Sequence, residues 1–123
     1  MATPEKKVKE RVKKILDKYP FHYKFFPSSG GYGSSGVPDI VACVEGKFIA
    51  VECKADGNKP TALQLKNLRD IAAAGGYAFV VDETGTGLLS MTLAEIMVGN
   101  LRVPGTWDFT AGTKCDDADT SKA

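Results

Sequence analysis

The sequence predicts a protein of the α/β class, and three consecutive patterns support that prediction. A lysine-rich amphipathic segment near the N-terminus has the spacing of a helix. A two-residue turn at Glu45-Gly46 would join two apolar segments into an antiparallel hairpin. A strand, a helix and a strand follow within about 35 residues, which predicts a right-handed crossover between parallel strands.

The first two elements are expected to be a helix from Pro4 to Lys18 and a strand from Phe21 to Phe26. Thr3 suits the N-cap, Pro4 suits the first turn, and Tyr19-Pro20 ends the helix. The apolar helix positions recur at helical spacing: Val8, Val12, Ile15 and Leu16. The aromatic residues of the strand are expected to pack in the core, with a subunit interface as the alternative: Phe21, Tyr23, Phe25 and Phe26.

A loop rich in glycine and serine, residues 28–36, comes next. It is either a plain connector or a mobile segment whose main-chain N–H groups touch a substrate backbone. Ser34 and Ser35 are its candidate DNA-binding residues. Lys59, in the polar loop 55–60, is a third candidate.

The centre of the chain is expected to hold strands at 39–44, 47–54 and 77–81. The segment 48–51 is apolar throughout, as in a central strand. Between the last two strands, a helix is expected over 62–74. Its apolar stripe is Leu65, Leu68 and Ala72, with Ile71 beside it, and Gly75-Gly76 ends it.

The C-terminal third is predicted less regularly. A short edge strand is expected at Leu88–Met91, followed by a helix from Thr92 to Met97 with Thr92 and Glu95 as a capping box. Residues 104–123 are expected to form a disordered tail. A single domain over residues 1–103 is the resulting organisation.

Composition excludes several classes of protein. No apolar run has the roughly 18 residues needed to cross a bilayer, and the charged segment 1–14 does not resemble a secretory signal. A single histidine, His22, and three cysteines without Cys-x-x-Cys spacing do not supply a zinc site or a disulfide framework. A reducing cytoplasm is the expected compartment.

Positive charge is concentrated at the N-terminus. Residues 1–27 hold eight Lys/Arg against three Asp/Glu, whereas the whole chain carries a net charge of only +1. Such a segment either meets nucleic-acid phosphates or is simply a solvated helix face.

The hairpin brings together the residues that carry chemistry. If Val44 pairs with Lys47, counting outward along both strands places Asp39 opposite Glu52. Glu52 and Lys54 then project from one face, and Cys53 from the other. Two carboxylates and an ammonium on strands this apolar indicate a functional site. The alternative is a structural Glu–Lys pair beside an unrelated aspartate.

Paired carboxylates on a rigid hairpin suit a hard divalent cation, most commonly Mg²⁺. The Cys53 main-chain carbonyl could add a third oxygen ligand. Such an ion activates water and neutralises the charge of a phosphodiester. Lys54 would orient or deprotonate that water, or stabilise the developing charge.

The motif Gly-Val-Pro-Asp-Ile-Val at 36–41, followed by Val-Glu-Cys-Lys at 51–54, resembles the PD-(D/E)XK nuclease superfamily. With the glutamine-bearing helix and the Gly-Gly pair, residues 5–82 look like the VRR-NUC (virus-type replication-repair nuclease) family, in its short stand-alone form common in phages. Archaeal Holliday junction resolvases look like more distant relatives. The resemblance implies a restriction-endonuclease-like core, with a mixed β-sheet flanked by helices.

The resemblance also implies roles for individual residues. Asp39, Glu52 and the Cys53 carbonyl would bind Mg²⁺, for which Mn²⁺ would substitute, and Lys54 would be the catalytic lysine. Family members often carry an acidic residue at the start of the first helix, where Glu5 stands; Glu10 is the other candidate. Both could instead be helix-surface charges. Gln64 matches a glutamine near the family's site, and Thr61-x-x-Gln64 is also a capping box.

The function that the resemblance implies is that of a metal-dependent, structure-selective endodeoxyribonuclease. Holliday junctions are among its candidate substrates. The expected partners are branched DNA and a second copy of the chain, because two sites related by a two-fold axis can cut opposed strands. One alternative is a nicking or restriction-like nuclease on duplex DNA. Another is a DNA-binding protein that keeps the fold without catalysis.

Overall fold

The predicted hairpin forms the centre of a mixed five-stranded sheet. The structure, a computed structural model, describes residues 3–27 and 36–111. Its elements in chain order are α1 (Pro4–Asp17), β1 (His22–Phe25), β2 (Ile40–Val44), β3 (Lys47–Cys53), α2 (Ala62–Ala73), β4 (Tyr77–Val81), α3 (Thr86–Met97) and β5 (Gly105–Phe109).

The strands lie in sequence order across the sheet, from β1 at one edge to β5 at the other. The first three strands are antiparallel to one another, whereas β3, β4 and β5 run parallel. Val44 pairs with Lys47 and Ile40 with Val51, so the predicted hairpin register is confirmed. Glu45 and Gly46 both have positive φ, as a two-residue turn of type I′ requires.

Helices cover both faces of the sheet. On one face, α1 and α3 pack against the inward residues of all the central strands, for example Val51 and Phe79. On the other face, α2 packs Leu68 and Ile71 against Ala78 and Val80 of β4. The predicted α/β class, with a mixed sheet flanked by helices, is confirmed. Within the described residues, no helix is long and apolar enough to cross a membrane.

The region around α3 differs from the prediction. Leu88–Met91 is not an edge strand, and Thr92 does not open a helix, because one helix runs from Thr86 to Met97. Leu89, Leu93 and Ile96 are buried at helical spacing. Their burial against the sheet favours one continuous helix over a strand followed by a short helix. The N-cap is Gly85, where an added Cβ would lie 1.9 Å from the Phe109 carbonyl oxygen. Close packing against β5 therefore leaves no room for a capping side chain.

The expected disordered tail contains the fifth strand. Gly105–Phe109 pairs in parallel with Tyr77–Val81, so the folded part continues past residue 103. Trp107 stacks on Phe79 with ring centroids 5.1 Å apart, and this contact with β4 stabilises the strand. Residues 112–123 lie outside the described residues.

The aromatic residues around β1 do not pack in the core as expected. Phe21, Tyr23 and Phe25 are 75%, 74% and 56% exposed. Lys13 lies over the ring of Phe26, which is also exposed. The positions that point to the α1 side of β1 are His22 and Lys24, and both contact Asp17 at the end of α1. Polar and aromatic residues alternate along this edge strand. Its polar side chains face α1, and its aromatic side chains therefore face away from α1.

Candidate active site

Asp39 and the end of β3 meet at the edge of the hairpin. Asp39 follows Pro38 and directly precedes β2, one step beyond the Ile40–Val51 pair. Its carboxylate Oδ2 accepts a hydrogen bond of 2.8 Å from the Cys53 main-chain N–H. This contact holds the Asp39 carboxylate beside the last residues of β3, as the hairpin register predicts.

Glu52 is a buried carboxylate with an incomplete set of partners. The residue is only 2% exposed. Its Oε2 lies 3.4 Å from the Lys54 ammonium and accepts a 3.0 Å hydrogen bond from the Gln64 amide. Its Oε1 is buried without a hydrogen-bond partner among the described residues. Buried carboxylate oxygens are normally paired, so this orphan atom indicates a site for a further positive group.

The pKa of Glu52 reflects the same deficit of positive charge. Burial raises it most, and the neighbouring Asp39 charge raises it further, to about 8 from the ordinary 4.5. The Lys54 ammonium acts in the opposite direction without offsetting these two effects. Glu52 and Asp39 are therefore electrostatic neighbours whose repulsion a bound cation would relieve.

Lys54 and Cys53 project to opposite sides, as strand alternation predicts. The Lys54 side chain is 11% exposed and reaches Glu52. Cys53 is fully buried in the core beneath α1, and burial raises the pKa of its thiol. The thiol is thus a packing group, and its low reactivity excludes it as a nucleophile.

Gln64 joins the helix start to the site. Its amide oxygen accepts from the Thr61 main-chain N–H, and the Thr61 hydroxyl accepts from the Gln64 main-chain N–H, which completes a capping box. Its amide nitrogen donates to Glu52. The capping box is therefore confirmed, and the same side chain also contacts the candidate site residue Glu52, because it has a separate atom for each.

A cavity of about 550 Å³ opens beside Asp39, between the start of α1 and the loop after β3. Glu5 lines it, and its charge contributes to the raised pKa of Glu52. Glu5 nevertheless stands apart from the carboxylate pair. In residues 3–27 and 36–111, no three His, Cys, Asp or Glu side chains come together closely enough to hold a metal ion. Glu10 pairs with Lys13 on the exposed helix surface and does not line the cavity.

Several residues that line the cavity were not singled out from the sequence, among them Lys6, Lys9 and Asn58. Lys9 lies one helical turn after Glu5, and this spacing could have identified it. The lysines place part of the N-terminal positive charge at the mouth of the cavity.

The candidate DNA-binding residues have a different outcome. Lys59 donates to the Thr110 hydroxyl and to the Ala111 carbonyl, at 3.0 and 2.9 Å. Its ammonium thus ties the loop after β3 to the end of β5, which sequence could not show because that strand was not expected. Ser34 and Ser35 lie outside the described residues.

Asp82 is a further buried carboxylate that sequence reasoning missed. Burial alone would raise its pKa. Hydrogen bonds from the Ala111 N–H and from the hydroxyl and N–H of Thr84 outweigh that effect, and the pKa is lowered. Asp82 directly follows an apolar strand, and this position in the sequence could have identified it as a buried carboxylate. It fastens the end of β5 beside the loop that leads from Lys54.

The fold of this chain is similar to that of a VRR-NUC domain. A solved structure described as "VRR_NUC domain" superposes with a TM-score of 0.59, covering 76% of this chain and 97% of that chain. Its sequence identity is 24%, so the likeness concerns the fold.

The chain belongs to the archaeal Holliday junction resolvase (Hjc) family, whose family model matches residues 5–86. That range contains every candidate site residue from Glu5 to Gln64. A curated relative, "Putative nuclease p44" of Acyrthosiphon pisum secondary endosymbiont phage 1, is 49% identical over 51 residues. The match spans 41% of this chain and 55% of that relative. The resemblance drawn from the motifs is thereby confirmed.

Proposed function

We propose that this chain is a metal-dependent, structure-selective endodeoxyribonuclease that hydrolyses phosphodiester bonds in branched DNA, four-way junctions foremost. The observation that carries the proposal is the buried Glu52 carboxylate, with its orphan Oε1, between Asp39 and Lys54. A purely structural Glu–Lys pair would not need a second carboxylate beside it. Membership of the resolvase family supports the choice of substrate.

The residues present fit a hard divalent cation. Asp39, Glu52 and the Cys53 main-chain carbonyl offer oxygen atoms, which Mg²⁺ and Mn²⁺ prefer. The buried Oε1 of Glu52, which has no hydrogen-bond partner among the described residues, supports a positive group at this position. When bound, the ion would supply a more acidic water and neutralise negative charge on the phosphodiester.

The chain's own residues would orient the carboxylate of the site and stabilise the negative charge of the reacting phosphate. Lys54, anchored by Glu52, presents its ammonium where negative charge develops on the scissile phosphate, and its burial strengthens that interaction. Gln64 holds the Oε2 of Glu52, so the carboxylate keeps one orientation. Glu5, on the cavity wall, is the candidate acceptor for a proton from the attacking water.

The N-terminal helix is proposed to hold the DNA backbone. Lys6 and Lys9 line the cavity beside Asp39 and can contact phosphates on either side of the cut. The chain is further proposed to act as a homodimer, since two sites related by a two-fold axis can cut opposed strands of a junction. Its place of action would be the cytoplasm of a bacterial or phage-infected cell.

Cleavage of matched substrates tests the proposal. A four-way junction, a flap and a linear duplex of the same sequence are incubated with Mg²⁺, with Mn²⁺ or with chelator. We expect metal-dependent cutting of the branched DNAs and little cutting of the duplex. Equal cutting of the duplex would favour a restriction-like nuclease. Binding without cutting in either metal would leave only the non-catalytic alternative.

Two lysine variants test whether Lys54 takes part in the cleavage reaction. Lys54→Ala should lower the cleavage rate by roughly 100-fold or more, while junction binding changes little. Lys66→Ala is the matched control, because Lys66 is exposed and pairs with Asp70 on the surface of α2. If Lys54→Ala cuts as fast as Lys66→Ala, the catalytic assignment fails.

A further inference from the structure

Helix α3 carries exposed apolar side chains on the face that points away from the sheet. The residues that face the sheet are buried at helical spacing: Leu89, Leu93 and Ile96. Three large apolar residues lie on the opposite side of the helix and are 50%, 67% and 69% exposed: Leu88, Met91 and Val98. This row, here called the apolar stripe, is about 15 Å long, at 1.5 Å per helical residue.

The outer face of α3 is poor in charge. Glu95 is the one charged residue among the twelve of this helix, and it lies in the same row as Met91 and Val98. A helix that borders solvent normally presents charged and polar residues on its outer face. A continuous row of exposed apolar side chains instead indicates an interaction surface.

The neighbouring helix α1 carries a row of exposed basic residues, here called the basic stripe: Lys7, Arg11, Lys14 and Lys18. Intervals of four, three and four residues place them on one side of the helix. The Arg11 guanidinium donates to the Glu83 carbonyl, two residues before the N-cap of α3. On the other side of α1, Lys13 lies over the ring of Phe26. The basic stripe is therefore on the side of α1 that faces α3.

The acidic residues of α1 do not neutralise the basic stripe. Glu10 pairs with Lys13. Asp17 pairs with Lys24 of β1, and Glu5 lines the cavity at the candidate active site. Within residues 3–27 and 36–111, no ion pair involves a residue of the basic stripe. Four uncompensated cations thus stand beside an uncovered apolar row.

We propose that the apolar stripe and the basic stripe together form a docking surface for another protein, which presents an amphipathic helix with acidic residues beside its apolar face. Such a helix would bury apolar side chains against Met91 and place carboxylates near Arg11. The basic stripe is about 17 Å long and the apolar stripe about 15 Å, so one helix of roughly three turns spans both. This inference goes beyond the proposed cleavage reaction and does not depend on it.

Other segments of this chain and a second copy of it fit the surface less well. Residues 28–35 contain one large apolar residue, Tyr32, and no acidic residue. Residues 112–123 are acidic in part but contain no leucine, isoleucine, valine, methionine or aromatic residue. A two-fold contact would pair the surface with itself, so that each copy brings four cations and only one carboxylate, Glu95. Charge complementarity therefore favours an acidic partner of a different sequence.

A lipid surface and DNA also match only part of this surface. Helices that lie in a membrane interface carry lysine and arginine beside their apolar face. Helix α3 has neither, and anionic lipid would repel Glu95 within the row. DNA phosphates would bind the cations of α1 but would leave the apolar stripe uncovered. A protein helix with both apolar and acidic residues satisfies the two stripes at once.

Binding of a designed peptide tests the docking surface. The probe is a fluorescently labelled amphipathic helix of about 18 residues, with leucine along one face and glutamate beside it. A second peptide has the same composition in an order without helical periodicity. In fluorescence anisotropy with the full chain, the helical probe should bind saturably and more weakly as salt is raised from about 0.05 to 0.5 M. No binding, or equal binding of both peptides, overturns the proposal.

Variants of the two stripes locate the contact. Met91→Asp should weaken binding of the helical probe about tenfold or more, and so should the double variant Lys7→Glu/Lys14→Glu. Tyr23→Asp is the control for the first, because Tyr23 is exposed on the side of β1 away from α1. Lys66→Glu on α2 is the control for the second. If folded Met91→Asp, judged by circular dichroism, binds the probe as tightly as Tyr23→Asp, the proposal is wrong.

The same Met91→Asp variant distinguishes the other occupants. It should keep the sedimentation mass of the wild type, its level of binding to phosphatidylglycerol–phosphatidylcholine vesicles and its rate of junction cleavage. A lower mass would assign the apolar stripe to a second copy, weaker vesicle binding to a bilayer, and slower cleavage to DNA, and each result overturns the proposal. Because peptide binding requires no DNA cutting, a wild type that binds the helical probe but cuts no DNA supports this inference while the nuclease proposal fails.

Discussion

At the scale of single residues, Glu52 couples the protonation of the site to the stability of the fold. Its pKa of about 8 lies above the ordinary 4.5. The folded chain therefore retains a proton that the unfolded chain has released, and stability is lost as pH rises across this interval. The cause is the cost of burying a second negative charge beside Asp39.

The expected result in chelator is a midpoint of thermal unfolding that falls between about pH 5 and about pH 8. Millimolar Mg²⁺ should restore the midpoint most strongly at the upper end, where the carboxylate is free to pair with a cation. Glu52→Gln should flatten the dependence and abolish the Mg²⁺ effect. An unchanged slope in Glu52→Gln would show that another group causes it.

Gln64 and Thr61 allow helix capping to be separated from activity. Gln64→Glu keeps an oxygen to accept from the Thr61 N–H but loses the amide donor to Glu52. It should keep the helix cap, cut about 10–100-fold more slowly and lose stability as pH rises, because a second carboxylate then lies against Glu52. Thr61→Ala should instead lose about 1 kcal/mol of stability in urea unfolding at every pH, with near-normal cleavage. Equal rates for the two variants would remove Gln64 from the site.

At the scale of elements, the loop after β3 is held by the end of β5. Lys59 makes two hydrogen bonds across this junction, and Asp82 makes another through the Ala111 N–H. Lys59→Met should lower stability by about 1–3 kcal/mol, since hydrogen bonds of a charged group are lost. Its effect on DNA binding should be uniform across salt concentrations.

Lys9→Ala provides the contrast, because Lys9 lines the cavity. It should leave urea unfolding nearly unchanged and reduce the slope of log binding constant against log salt by about 1. Fluorescence anisotropy with labelled junction DNA measures that slope. If Lys59→Met, and not Lys9→Ala, reduces it, Lys59 binds DNA as the sequence first suggested.

At the scale of the whole molecule, the sheet needs its fifth strand. Trp107 stacks on Phe79 and Tyr77, so a chain ending at residue 103 would expose the β4 edge and one side of the core. Such a chain should fail to unfold cooperatively, whereas a chain ending at residue 111 should unfold like the full protein. Circular dichroism during urea titration distinguishes them. Cooperative unfolding of the shorter chain would make β5 dispensable.

Local patterns predicted the part of the molecule that forms the site. Turn chemistry at Glu45-Gly46 sets the hairpin register, and the register in turn brings Asp39 to the end of β3. Alternation along one strand sets the opposite directions of Cys53 and Lys54. These relations depend only on counting residues along two adjacent strands, so the amino-acid sequence is sufficient to derive them.

What the sequence by itself determined is therefore the α/β class, the first helix, the crossover and the carboxylate–lysine group. Tertiary packing alone decided that Thr86–Met97 is one helix, that Gly105–Phe109 is a strand and that Lys59 braces a loop. It also decided that Tyr23 and Phe25 face outward. The physical reason is that the burial of a residue depends on which surfaces the helices cover. Those surfaces are formed by residues far apart in the chain, so local sequence patterns do not determine them.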